Sequence, residues 1–140
     1  MIIKGKKLNM TQIFKDDEAL GATLIQLDPG AEIQAFKAGD LVKVSGLSKG
    51  RGFAGVVKRH GFSGGPKTHG QKNRHRAPGS IGSTAPQRVL PGRRMAGRMG
   101  GGRVSVKNIK IVGVDAEKKI LFLRGAVPGN AGGKLEISKK

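Results

Sequence analysis

Short alternations of apolar and polar residues occupy the two ends of this chain and are missing from its middle. Near the start, Lys6–Phe14, Ala22–Leu27 and Leu41–Val44 read as strands. In such stretches β-branched and aromatic residues recur with the two-residue period of a half-buried strand. Asp28-Pro29-Gly30 is a strong turn signal, and Asp16-Asp17-Glu18 reads as a solvated hairpin turn. The same grammar resumes at Val104. VSVKNIKIVGV alternates β-branched residues with Ser, Lys and Asn; Asp115–Lys119 reads as a turn, ILFLRG as a strand, AVPGNAGG as a loop and KLEIS as a final strand. The pattern predicts a mainly β, single-domain chain: a small antiparallel sheet or barrel from residues 1–46 and 104–140, interrupted by an extension over 47–103.

That extension does not read as a normal core. Gly46–Gly102 holds fifteen of the 24 glycines and four of the six prolines. Between Gly61 and Pro91 the larger apolar side chains are only Phe62, Ile81, Val89 and Leu90. Such a segment buries too little surface to offset its conformational entropy, so alone it should be mobile. One stretch has helical spacing: Phe53, Val56, Val57 and His60 recur three and four residues apart, with Lys58 and Arg59 on the other side. At one or two turns that helix is marginal in isolation.

Charge changes the picture. The chain has 140 residues and 27 Lys+Arg against 9 Asp+Glu, a formal net charge of +18. All nine acids lie toward the ends, and between Leu41 and Val114 sixteen basic residues stand with no acid among them. A solvated face normally interleaves both signs to relieve repulsion; here an external polyanion, phosphate above all, is expected to do so. The absence of cysteine excludes disulfides, thiolate zinc sites and a Cys nucleophile. No apolar run approaches the ~18–20 residues of a membrane span, and MIIKGKKLNM lacks the apolar stretch of a secretion signal, so a soluble intracellular protein is expected.

Glycine lets one backbone approach another closely and leaves amides free for phosphate oxygen, while arginine forks onto phosphate or stacks on a base. Folded RNA, with irregular crevices, suits an irregular arm better than duplex DNA, whose readers present a helix or ribbon to a groove. With no Trp or Tyr, the chain is poorly equipped as an open single-strand binder.

Other motifs fail on chemistry. Gly50-Arg51-Gly52-Phe53-Ala54-Gly55 fits G-x-G-x-x-G, but no acid to hold a ribose follows until Asp115. GFSGGPKT at Gly61–Thr68 resembles a phosphate loop, yet Pro66 stands where the second glycine must be and removes an amide donor. His60, His69 and His75 have Arg59, Lys72, Arg74 and Arg76 as neighbours, which would repel a divalent ion. No catalytic constellation, metal site or cofactor site is expected.

Several blocks, in order, carry a family resemblance: GKKLNMTQIF, SGLSKGRGFAGVVKRHGF, THG at Thr68–Gly70, HRAPGSIG, MAGRMGGGRVSVKN and GAVPGNAGG. The chain resembles ribosomal protein L3, the universal large-subunit family, over nearly its whole length. The resemblance implies a translation-type β-barrel, here reduced, with a long basic glycine-rich loop and at most one short helix. It implies a non-enzymatic, cytoplasmic component of the ribosome that binds large-subunit ribosomal RNA and neighbouring ribosomal proteins. Such a component supports subunit assembly, extends its loop towards the peptidyl-transferase region, and has no membrane or small-molecule partner. Carried over by position, the arm runs from Ser45 to about Arg103, with its tip at Arg74–Pro86. Candidate RNA contacts on the outward limb are Lys49, Arg51, Lys58, Arg59, His60, Lys67, His69 and Lys72. At the tip they are Arg74, His75, Arg76, Gly79, Ser80, Gly82 and Ser83; on the return limb, Arg88, Arg93, Arg94, Arg98 and Arg103. The alternative is a generic nucleic-acid-compacting protein of the chromatin-architectural kind.

Two departures stand out. Some bacterial members carry a methylated glutamine in a QTPG-like stretch after GSIG; here Ser83-Thr84-Ala85-Pro86-Gln87 follows, and the modification is not carried over. Typical bacterial members are also much longer between the first strands and the SKG block, where this chain has only DPGAEIQAFKAGD. A reduced barrel must cover its strand edges by closing with fewer strands, with RNA or with a neighbouring protein. The isolated chain is therefore expected to be poorly ordered or to self-associate.

Overall fold

Alternating Ile, Val and Leu positions fold into strands that bury one side of each ribbon. The computed structural model describes residues 2–139. Its strands are β1 (Ile2–Lys15), β2 (Glu18–Leu27), β3 (Leu41–Leu47), β4 (Phe53–Ala54), β5 (Gly97–Arg98), β6 (Arg103–Asp115), β7 (Ile120–Arg124) and β8 (Lys134–Lys139). One short helix, α1 (Val56–His60), and a single 3-10 turn at Ile33–Ala35 complete the list. The chain divides into two compact units, one running up to Lys49 and from Gly101 onward, the other Gly50–Gly100.

The first unit is a closed barrel in the order β1-β2-β7-β6-β3-β8, with β8 returning to β1 and every pairing antiparallel. Ile3, Ile25, Val42, Val44, Ile111, Leu121, Leu123, Leu135 and Ile137 fill its interior. Each such side chain removed from water contributes about 1.5–3 kcal/mol. Ile33 and Phe36, around the 3-10 turn, join the same core, as does Val127 from the loop before β8. Register irregularities between Lys7 and Met10, Val42 and Val44, and Ile111 and Gly113 mark bulges. Bulges bend and coil their strands, which closure of a small ring demands. The six strands close on themselves, so the open edges behind the expectation of self-association are absent from the ring.

Several expected turns are present. Lys15 pairs with Glu18 across Asp16 and Asp17, whose φ values of 50° and 64° make a two-residue hairpin turn with both central residues left-handed. Aspartate tolerates that conformation and stays solvated there. Asp115 accepts the Lys118 amide at 3.1 Å to cap the β6–β7 turn. The Asp40 carboxylate accepts the Lys37 amide at 2.9 Å and lies 2.7 Å from the Lys139 ammonium. The hydrogen bond from Lys139, then that from the Lys37 backbone, holds Asp40 below the usual carboxylate range. Gly5 is required where β1 meets β2, since a Cβ there would stand 2.7 Å from the Gln26 carbonyl oxygen.

Differences from the sequence reading are local. β1 starts at Ile2 and not at Lys6, and β3 continues to Leu47 while β6 begins at Arg103, because Leu47 and Arg103 still pair. Ser48 and Gly102 prolong that ladder, the Ser48 amide donating to the Gly102 carbonyl at 2.9 Å. Phe53 lies in β4 and is 80% exposed, so it is not part of α1.

The AVPGNAGG loop is fastened by an unexpected group. Lys7 is buried, and its ammonium donates to the carbonyls of Val127 at 2.8 Å and Gly129 at 2.9 Å. Its amide donates to Gly133 at 2.9 Å, and its carbonyl accepts the Gly132 amide at 2.7 Å. Burial, reinforced by Lys49, pushes the Lys7 ammonium below the ordinary lysine value. Lys7→Met leaves two carbonyls without their donor, an expected loss of about 1–3 kcal/mol. The check is urea denaturation together with hydrogen exchange, in which the Gly132 and Gly133 amides are expected to exchange faster than those of β7.

Candidate nucleic-acid interface

The Gly50–Gly100 unit is built from backbone bonds and guanidinium braces, with little apolar interior. The Arg51 amide donates to the Met99 carbonyl, and the Met99 amide to that of Gly52, each at 2.9 Å. Next, Phe53 pairs with Arg98 and Ala54 with Gly97, giving the two-residue β4–β5 ladder. Only Ala54 and Val56 are buried apolar residues in this unit. α1 starts after Gly55 and ends where Gly61, at φ 73°, donates its amide to the Val57 carbonyl at 3.0 Å. A left-handed residue in that place stops a helix, and glycine takes the conformation without strain.

Two side chains on α1 clamp the returning strand. Arg59 Nη1 donates to the Met95 carbonyl at 2.7 Å, and His60 Nε2 lies 3.0 Å from the same oxygen. Gly97 makes room for that clamp, because a Cβ there would stand 2.8 Å from the Arg59 guanidinium. Beyond α1, residues 61–79 fold back on themselves. The Gly65 amide donates to the His75 carbonyl at 3.0 Å, and His75 Nδ1 lies 3.1 Å from the Pro66 carbonyl oxygen. Glycine is obligatory at Gly64, where a Cβ would lie 2.1 Å from the His75 oxygen. The GFSGGPKT stretch thus uses its glycines for close backbone approach.

The sequence-derived candidates divide into two groups. Arg51, Lys58, Lys67, His69, Lys72, Arg74, Arg76, Ser83, Arg88, Arg94 and Arg98 are exposed, and among the described residues none has a side-chain hydrogen bond or ion pair within the chain. Most of the others are engaged. Arg59, His60 and His75 bind carbonyls as described, and Arg93 donates to the Ser80 carbonyl, drawing the return limb against the tip. Ser80 Oγ donates to the Gly82 carbonyl at 3.1 Å, and Gly79 holds φ 78°. Lys49 and Arg103 belong to the barrel unit. There Arg103 makes an ion pair with Glu136 and is a correction: an acid outside the acid-free window does relieve one of its charges.

Electrostatically, Gly50–Gly100 carries eleven Lys and Arg and no acid. The ion pairs among the described residues, Arg103–Glu136 and Lys139–Asp40, both lie in the barrel unit. Among the described residues, therefore, no acid pairs with a cation of the insertion. Lining residues that the sequence reading left out are Phe62 and Gln71, which border a hollow within 61–79. The only signal for it was the glycine-rich GFSGG run followed ten residues later by HRAPG.

A six-stranded closed barrel carrying an acid-free, cationic, glycine-rich insertion defines a class of small basic β-barrel proteins. Residues 22–128 match the family Ribosomal protein L3, and the chain belongs to that family. Among its relatives, the large ribosomal subunit protein uL3 of Trichormus variabilis is 57% identical over 111 residues, covering 77% of this chain and 52% of that protein. That of Herpetosiphon aurantiacus is 56% identical over 108 residues, with 76% and 51% covered. The Thioalkalivibrio sulfidiphilus protein is 50% identical over 115 residues, with 80% and 54% covered. The chain spans about half the length of the curated relatives it matches.

Proposed function

We propose that this chain is a non-enzymatic, cytoplasmic component of the large ribosomal subunit. Its Gly50–Gly100 insertion binds large-subunit ribosomal RNA, supports subunit assembly and reaches towards the peptidyl-transferase region. One observation carries the reading: eleven cations on a unit with no acid of its own. Bringing RNA helices together concentrates phosphate charge, and exposed guanidinium groups on a thin glycine backbone neutralise it without adding bulk. Family membership supplies the ribosomal context. The barrel gives the insertion a closed base and offers neighbouring ribosomal proteins a surface.

The test compares the full chain's affinity for large-subunit ribosomal RNA and for random duplex DNA across a salt series, with co-sedimentation on large subunits in high-salt gradients. The expected result is preference for the ribosomal RNA, a steep log–log salt slope of about −0.7 to −0.9 per neutralised phosphate, and retention on the subunit. Equal affinity for random duplex DNA, with loss from the subunit at high salt, would overturn the reading in favour of a general nucleic-acid compactor.

A further inference from the structure

Within residues 61–79 the two limbs of the loop border a hollow of about 520 Å³ that is open to solvent, lined among others by Phe62, Gly64, Gly65, Gln71, Arg74 and Pro78. Its size lies in the ~300–1,000 Å³ range of small-ligand sites. Its frame is backbone packed on backbone: the Gly65 amide is bonded to His75, and a Cβ on Gly65 would stand 2.7 Å from the Arg74 carbonyl and 3.0 Å from Gln71 Nε2. The frame is therefore set by glycine geometry and not by side-chain collapse. Phe62 is half-buried, its ring tilted 43° to that of His60 with centroids 5.9 Å apart, which steadies one face of the aromatic.

The lining combines an aromatic face, a primary amide, a guanidinium and apolar carbon from Ala77 and Pro78, with no carboxylate. A bare phosphate would use only the donors of Arg74, Gln71 and Ser63 and leave the aromatic and apolar walls unmatched. A nucleobase uses all of them, because an unstacked base presents a π face for stacking and a polar edge for hydrogen bonds. Arginine forks onto the O6 and N7 edge of guanine better than onto other bases.

We propose that this hollow receives a single unstacked nucleobase of the bound RNA, with guanine favoured: Phe62 stacks on it, and Gln71 and Arg74 read its edge. The proposal rests on the RNA-binding reading above and adds to it a base-specific contact among otherwise backbone-directed charges. In free RNA a base outside the stack is costly; a receptor for it selects the one RNA fold that extrudes a base at that place.

The experiment uses the full chain with a transcript of large-subunit ribosomal RNA. Short-wave ultraviolet cross-linking followed by mass spectrometry is expected to leave one nucleotide, a guanosine, on the peptide containing Phe62. Phe62→Leu and Gln71→Leu are each expected to weaken binding about 5- to 150-fold, the range for one base lost from an aromatic platform. Both should leave the log–log salt slope unchanged, because no phosphate contact is removed. A steep slope in the unmodified chain, with no nucleotide on that peptide and unchanged affinity in both variants, overturns the nucleobase site and leaves RNA binding standing. A flat slope in the unmodified chain overturns the RNA reading and the site with it.

Discussion

The triple variant Arg88→Ala, Arg94→Ala, Arg98→Ala is expected to bind large-subunit ribosomal RNA about two hundredfold more weakly at ~0.1 M salt and to flatten the log–log salt slope by about two to three units. The magnitude follows from counterion release. Each neutralised phosphate contributes roughly 0.7–0.9 to the slope, so each is worth a factor of about six at ~0.1 M, and three multiply. These three arginines are chosen because all are exposed and, among the described residues, none has a side-chain partner in the chain. Arg59 and Arg93 would be poor choices. They donate to the Met95 and Ser80 carbonyls, so replacing them would mix loss of a structural brace with loss of a phosphate contact. Binding isotherms at four or five salt concentrations make the measurement. An unchanged slope would take these side chains out of the interface.

The second large effect belongs to the barrel. Ile137→Ala is expected to cost about 2–5 kcal/mol, a substantial share of the ~5–15 kcal/mol that holds a typical domain folded. Ile137 is fully buried and is flanked in register by Ile3 on β1 and Val44 on β3, so three strands meet over its side chain. The ring cannot collapse into the void without disturbing ladders on both sides of β8. Ile81→Ala, by contrast, removes a side chain that is 44% exposed in the insertion and should change stability by less than ~0.5 kcal/mol. Urea midpoints of the two variants, measured without nucleic acid, give the comparison. Equal midpoints would mean that the barrel interior does not govern unfolding.

Most of the barrel was legible because its strands announce themselves locally. VSVKNIKIVGV, ILFLRG and KLEIS alternate strongly enough to be placed within a residue or two of β6, β7 and β8. The first residues of β1 were less visible, since Ile2 and Ile3 adjoin and break the alternation. The alternation alone leaves sheet and barrel both open, and the barrel comes from the family resemblance; which strands pair is decided by registers such as Ile3 with Ile137, between residues at opposite ends of the sequence. The plug was not legible. Ile33 and Phe36 stand three residues apart, as a single helical turn requires, but one turn is too short a repeat to distinguish from a loop. In the insertion, residue type and charge identified the exposed cations. Composition could not tell Arg93, turned to a carbonyl, from Arg94, left free, because that depends on where the chain returns. Lys7 has no signal in the sequence beyond its place in the Lys6–Phe14 stretch, because its burial against the Val127 and Gly129 carbonyls depends on a loop more than a hundred residues away.

The pairing of Leu47 with Arg103 carries a consequence for how such a protein can change over time. Departure and re-entry points are neighbours in one hydrogen-bonded ladder, so whatever lies between them is tied off at its base by the scaffold itself. Lengthening such a tied loop adds only about 0.6 kcal/mol for each doubling. The barrel can therefore tolerate extensive rewriting of the tied segment, and mutation there is limited by the segment's own backbone packing, as at Gly64 and Gly97.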